Sequence, residues 1–304
     1  MSTKQKDNYL ILLDGTAYLY RAFHALPPLT NKKGENTGAI HGFLKALNKI
    51  LEDFSPEHIG IVFDAKGKNF RHKIYSEYKA NRSKMPDELS EQIPKLYEIL
   101  DLLGFPPIIV EGVEADDVIG TLSNKYKKNK NIKIFSGDKD FAQLVDSNVV
   151  IINPVSLDIM DERAVKKKFD IEAKNIIDYL ALVGDKSDNI PGIPGVGAKT
   201  ASRLINQFGN IEKIISSKDL ISGKVGDAIR QNIDQLKLSK ILATIKQDVN
   251  LDISLKNLVK RDENRKELLK IYQRLELNSL LKDKRETDKL EKVDNVSEKK
   301  INIK

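Results

Sequence analysis

Acidic residues recur just beyond successive short apolar runs, and this recurrence constrains the chain more than any other feature. Residues 9–13 end at Asp14-Gly15, and residues 59–63 end at Asp64. Residues 107–110 lead to Glu114, Asp116 and Asp117, and residues 132–135 lead to Asp138 and Asp140. Residues 149–152 form a fifth run, and stretches of helical period lie at 40–54, 89–103 and 116–127. This alternation predicts an α/β fold with a mostly parallel central sheet flanked by helices. Ligands of such sheets gather beyond the carboxyl ends of the strands, where these acids fall. From about Asp161 the pattern is helical, with helices expected over 199–208 and 230–245. A Gly/Pro-dense segment, Ile190-Pro191-Gly192-Ile193-Pro194-Gly195-Val196-Gly197, interrupts it as a turn-rich loop.

Asp185 and Asp188 complete the acidic set of Asp14, Asp64, Glu114, Asp116, Asp117, Asp138 and Asp140. Two unit charges about 4 Å apart repel by roughly 4 kcal/mol at an effective dielectric near 20. A gathered cluster therefore needs protons or divalent cations. All-oxygen donors suit Mg²⁺ or Mn²⁺, and two such ions can activate a water and stabilise a leaving alkoxide in phosphodiester cleavage. Any one of these acids alone reads more simply as a helix cap or turn residue; the set points to metal. The chain has no Cys and four His, which excludes disulfides, thiolate sites and a Cys nucleophile, and disfavours a His-dominated zinc site.

At 304 residues, 40% hydrophobic and 31% charged, the chain can bury a sizeable core. No apolar run approaches the roughly 20 residues of a membrane span, so a soluble cytoplasmic protein is expected. The net charge of +7 fits a polyanionic partner. Residues 70–84 interleave Arg71, Lys79 and Arg82 with Tyr75 and Tyr78, a mixture suited to single-stranded nucleic acid. Lys79 and Arg82, three apart, are expected on one helical face, gripping a scissile phosphate. The stretch from Gly192 to Thr200 nearly spells a P-loop, but Ala198 separates Gly197 from Lys199 and no strand precedes it. A hairpin between helices fits better. Gly192, Gly195 and Gly197 allow close backbone approach to a phosphate, while Lys199 and Arg203 add charge.

Taken together these stretches resemble the 5′-nuclease (flap endonuclease) family, and most of all the N-terminal 5′→3′ exonuclease domain of bacterial DNA polymerase I. The resemblance rests on Leu13-Asp14-Gly15, Tyr20-Arg21-Ala22-Phe23-His24, Val62-Phe63-Asp64-Ala65-Lys66, Phe70-Arg71 and Tyr78-Lys79 with Arg82. It continues through Glu111-Gly112-Val113-Glu114-Ala115-Asp116-Asp117, Ser136-Gly137-Asp138-Lys139-Asp140 and Gly184-Asp185-Lys186-Ser187-Asp188-Asn189-Ile190-Pro191-Gly192. It implies a PIN-like core over 1–175 with an arch around 70–100, a helical duplex-binding region over 176–281, and a charged flexible tail over 282–304. Asp14, Asp64, Glu114 and Asp116, with Asp117 close by, would serve the metal nearer the catalytic water. Asp138, Asp140, Asp185 and Asp188 would serve the second. Lys79, Arg82 and Arg21 would be catalytic cations, and Arg71, Tyr75 and Tyr78 would contact DNA. Residues 190–200, with Gly192, Gly195, Gly197, Lys199, Thr200 and Arg203, would form a helix-hairpin-helix element, in some relatives with K⁺. The implied activity is two-metal cleavage of 5′ flaps, nicks, gaps and RNA-primer junctions in replication and repair. Ending at Lys304, the chain is expected to be a free-standing, monomeric nuclease associated with a separate DNA polymerase.

Overall fold

The computed structural model describes residues 8–284. The strands β1 (Tyr9–Asp14), β2 (His58–Phe63), β3 (Ile108–Ile109), β4 (Asn131–Phe135), β5 (Val149–Ile152) and β6 (Ile159–Met160) form one sheet in the order β3-β2-β1-β4-β5-β6. β1 to β5 are mutually parallel, as the alternating pattern predicts, and β6 closes the edge antiparallel to β5. Every residue of β1 and β2 is buried, which is why both read as unbroken apolar runs rather than alternating ones. The chain winds outward in both directions from β1, so the crevice between the ends of β1 and β4 is the topological switch point. Leu13 pairs in register with Phe135, which sets Asp14 beside Ser136 at that crevice.

Thirteen α-helices accompany the sheet among the described residues, and a further helical stretch covers 278–284. They are α1 (Gly15–Ala25), α2 (Gly38–Phe54), α3 (Phe70–Ile74), α4 (Asp87–Ser90), α5 (Ile93–Leu102), α6 (Ala115–Tyr126), α7 (Glu162–Phe169), α8 (Ile176–Val183), α9 (Ala198–Phe208), α10 (Ile211–Ser216), α11 (Gly223–Gln231), α12 (Ile233–Ala243) and α13 (Arg265–Arg274). The chain divides into two compact units. The first holds residues 8–18, 56–84 and 108–259, and one hydrophobic core runs through it from Leu10, Leu12 and Ile134 to Leu182, Ile205 and Leu236. The helical region expected to be separate after residue 175 thus shares a core with the sheet.

The second unit holds residues 19–55, 85–107 and 260–284. There the helix expected over 89–103 breaks into α4 and α5, with Pro94 in the first turn of α5. The buried Gln92 between them accepts from the N–H groups of Ala39 and Ile40, at 3.0 and 3.2 Å, and so caps α2. In the first unit the helix expected over 230–245 breaks at Asn232. Within the stretch expected to form the arch, α3 is five residues long and residues 76–82 are turns and a bend. Of the tail expected over 282–304, residues 282–284 are helical, and residues 285–304 lie outside the described residues.

Candidate active site

Asp14 ends β1 and is 5% exposed. Its Oδ1 accepts from the Ala17 N–H at 3.0 Å and its Oδ2 from the Ser136 hydroxyl at 2.9 Å. Gly15 follows because a Cβ there would lie 2.7 Å from the Phe63 ring. Asp64, just past β2, accepts from the Ala115 N–H at 2.8 Å, which ties it to the start of α6. Glu114 is the N-cap of α6, so the loop after β3 and the first turn of α6 deliver Glu114 and Asp116 together. Strand ends and one helix start therefore do the gathering, by way of backbone hydrogen bonds that hold the acids in place.

Their mutual proximity is visible in their electrostatics. Burial pushes the Asp14 carboxyl up to about 6 against the hydrogen bonds of Ala17 and Ser136, and the charges of Asp64 and Asp138 add to the rise. Burial, then the charges of Asp14, Asp138, Glu114 and Asp64, raise Asp116 well above the usual carboxylate range. Asp138 is raised by burial and by Asp188 and Asp185, although the Asp140 N–H opposes. Burial and the neighbouring Asp138 charge push Asp140 up to about 7. Asp185 moves the other way. Burial is outweighed there by hydrogen bonds from Lys139 and Ser187, and its carboxyl falls to about 2. A cleft of about 690 Å³ is lined by Asp138, Asp140, Asp185 and Asp188, together with Lys139.

Besides Arg71, which pairs with Glu114 at 3.1 Å, three cations already sit on this set. Lys79 pairs with Glu114 and lies 3.5 Å from Asp188. Arg82 pairs with Asp188, and Lys139 with Asp185 at 2.6 Å. Among the described residues, no three of the acids converge closely enough to hold one ion as they stand, and cationic side chains pair with Glu114, Asp188 and Asp185. The donor set nevertheless fits a hard divalent ion. It is all oxygen, its raised acids are short of positive charge, and the buried Oδ1 of Asp140 has no hydrogen-bond partner.

Several expected roles are corrected. Asp117 is fully buried, with both oxygens bound by Arg71 at 2.7 and 2.8 Å and further bonds from the N–H groups of Glu114 and Lys246. No lone pair is left to face a metal, so it is an anchor and not a ligand. Arg71 is 2% exposed and also bonds Glu114 and the carbonyls of Leu242 and Thr244; it cannot reach a DNA phosphate. Tyr78 is buried, its hydroxyl donating to Glu114 at 3.0 Å and to Asp188 at 3.3 Å, so it cannot stack on a base. Tyr75 is half-buried against the core. Lys79 and Arg82 do not share a helical face. Lys79 has φ 56°, in the left-handed region, and a turn rather than a helix brings both cations to the acids.

In the hairpin, Gly192 is buried. Its N–H donates to Ser239 Oγ at 3.1 Å, its carbonyl accepts from Gln235 at 2.7 Å, and a Cβ would meet the Gly184 nitrogen at 2.5 Å. It is a packing glycine with no amide left for a phosphate. Gly195, Gly197, Lys199 and Arg203 are exposed, Thr200 half so, and α9 starts at Ala198. Arg21 is exposed on α1, in the second unit.

Sequence reasoning missed Ser136, Lys139 and Gln143. The first two lie inside the Ser136–Asp140 stretch already marked by its acids. Gln143 bridges the Ala243 carbonyl and the Ile245 N–H and carried no signal, because its partners are about a hundred residues away.

Comparison with known proteins covers both halves. Residues 9–170 match the family described as 5′-3′ exonuclease, N-terminal resolvase-like domain, and residues 171–267 match 5′-3′ exonuclease, C-terminal SAM fold. The 5′-3′ exonuclease of Aquifex aeolicus is 42% identical over 275 residues, covering 90% of this chain and 94% of that protein. DNA polymerase I of Pseudomonas aeruginosa is 44% identical over 283 residues; the match covers 90% of this chain but only 31% of the polymerase. Among solved structures, the T5 D15 protein co-crystallised with metal ions superposes with TM-score 0.68 at 23% identity, covering 86% of this chain and 99% of that one.

Proposed function

The chain belongs to the 5′-3′ exonuclease family, and we propose that its acid cluster hydrolyses phosphodiesters near the 5′ ends of DNA, at flaps, nicks, gaps and RNA-primer junctions. One observation carries the reading. The ends of β1 and β2, the start of α6, the segment after β4 and the 185–188 turn bring their acids to one cluster, where burial and neighbouring carboxylates raise Asp14, Asp116, Asp138 and Asp140, and Lys79 and Arg82 reach into it. Asp14, Asp64, Glu114 and Asp116 would hold one divalent ion, and Asp138, Asp140, Asp185 and Asp188 a second. We assign Mg²⁺, with Mn²⁺ as a substitute. Such ions supply a water of lowered pKa and charge to stabilise the leaving oxygen.

The chain's own residues do the positioning. Arg71 and Tyr78 orient Glu114, Ser136 orients Asp14, and the Ala115 N–H orients Asp64. Lys79 and Arg82, which here pair with Glu114 and Asp188, would bind the non-bridging oxygens of the scissile phosphate and offset charge that develops there. The exposed hairpin residues Gly195, Gly197, Lys199 and Arg203 would grip the duplex backbone without reading bases, and a K⁺ ion on that loop belongs to the same proposal. A 5′-labelled flap oligonucleotide incubated with Mg²⁺ or with a chelator tests it. Short labelled products that require Mg²⁺ are expected; intact flap under both conditions would contradict the reading.

A further inference from the structure

A second, smaller pocket of about 170 Å³ lies beside the acids, and the chemistry above leaves most of it unused. Its lining includes Asp64 and Glu114 together with Lys66, Lys68, Lys79 and Arg82. Four cations there face two acids. Lys79 is matched by Glu114, and Arg82 by Asp188 from outside the lining. Lys66 and Lys68 are exposed and form no ion pair among the described residues. The pocket therefore holds two lysines without an ion-pair partner next to the groups assigned to the scissile phosphate, Asp64 being the one lining acid not already paired.

A phosphate monoester carries about −1.5 to −2 charges at neutral pH because its second pKa is near 6, and an internal phosphodiester carries about one. Two free lysines in a confined pocket match the monoester better. We infer that this pocket binds the phosphate on the 5′ side of the bond being cut, and that at a nick or gap this is the strand's terminal phosphate. The inference rests on the nuclease reading, because Lys79 and Arg82 fix where the scissile phosphate lies. On a flap the same position holds an internal diester, which the two lysines would hold less tightly. End trimming at a nick would thus depend on the chemical state of the 5′ end, while flap cutting would not.

The test compares nicked duplexes bearing a 5′-phosphate or a 5′-hydroxyl, with affinity read by fluorescence anisotropy in Ca²⁺ and cleavage read in Mg²⁺. Wild type should bind and cleave the phosphorylated end about ten-fold better. Lys66→Met/Lys68→Met should lose that preference to below about two-fold while keeping the wild-type unfolding midpoint. A Lys73→Met control, at a lysine outside the pocket lining, should keep it. Equal binding of both ends by wild type, or an undiminished preference in the double variant, overturns the inference. A third arm uses a flap with a neutral methylphosphonate at the same position. Weakened binding there without any terminal-phosphate effect on the nick would overturn the terminal assignment. If the affinity preference stands but no substrate is cleaved, the nuclease reading fails and the phosphate pocket survives.

Discussion

The backbone N–H of Lys79 donates to the Asp188 carbonyl at 3.0 Å, while the same lysine's Nζ lies 3.5 Å from the Asp188 carboxylate. Two more bonds join these turns: Asn189 to the Glu77 carbonyl at 2.7 Å, and Asn81 to the Lys186 carbonyl at 2.5 Å. The turn that carries the cations and the turn that carries Asp185 and Asp188 therefore fold as one piece. Movement of either changes how the acids are neutralised.

Lys79 sits at φ 56°, a conformation that costs a non-glycine residue roughly 1–2 kcal/mol. Lys79→Gly should therefore be more stable than Lys79→Ala by about 1 kcal/mol in urea unfolding, although both lose the cation and both cleave poorly. Equal stability of the two would show that the backbone there is unstrained.

Arg71 neutralises Asp117 in a fully buried, bidentate pair. Removing one partner of such a pair leaves an uncompensated charge, at about 3–5 kcal/mol. Arg71→Ala should be destabilised by that order in denaturant titration, and Arg71→Lys by less, since charge survives but the two-pronged geometry does not. A loss below 1 kcal/mol for Arg71→Ala would mean that the network is dispensable.

Asp14 and Asp140, with carboxyls near 6 and 7, and the raised Asp116 and Asp138 bind protons more tightly folded than unfolded. Stability of the metal-free protein is thus greatest below their unfolded values near 4 and declines as pH rises through 6 to 7. Asp185, lowered to about 2, acts in the opposite sense, but only below pH 4. Thermal unfolding in EDTA should lose roughly 1–3 kcal/mol between pH 5 and 8, and millimolar Mg²⁺ should restore most of it at pH 8. Stability that rises over that window in EDTA would refute the assignment.

Asp116 faces the other acids rather than Arg71. Asp116→Asn should reduce flap cleavage by on the order of 10²–10³-fold while flap affinity measured in Ca²⁺ changes less than about three-fold. Turnover like wild type would remove Asp116 from the ligand set.

β1 and β2 were legible because strands buried on both faces are written as continuous apolar runs, and the acids were legible as the residues that follow such runs. β6 was not, since two residues at an antiparallel edge, Ile159 and Met160, carry no pattern. Asp116 and Asp117 are adjacent and chemically alike. Only the direction each takes from the first turn of α6 separates the acid in the cluster from the anchor, and Arg71, forty-six positions away, sets that direction. The left-handed Lys79 was hidden for the same reason, because the carbonyl that holds it belongs to Asp188. Local periodicity reports which face is buried; it cannot report a backbone angle fixed by a distant turn.

The central claim is that these carboxylates together form a site for two divalent ions. Anomalous scattering from crystals soaked in Mn²⁺ tests it most directly. The account predicts two peaks about 4 Å apart, one among Asp14, Asp64, Glu114 and Asp116 and the other among Asp138, Asp140, Asp185 and Asp188, with Lys79 and Arg82 withdrawn from the carboxylates. An acid cluster without a manganese peak, its lysine and arginine pairs intact, would contradict it.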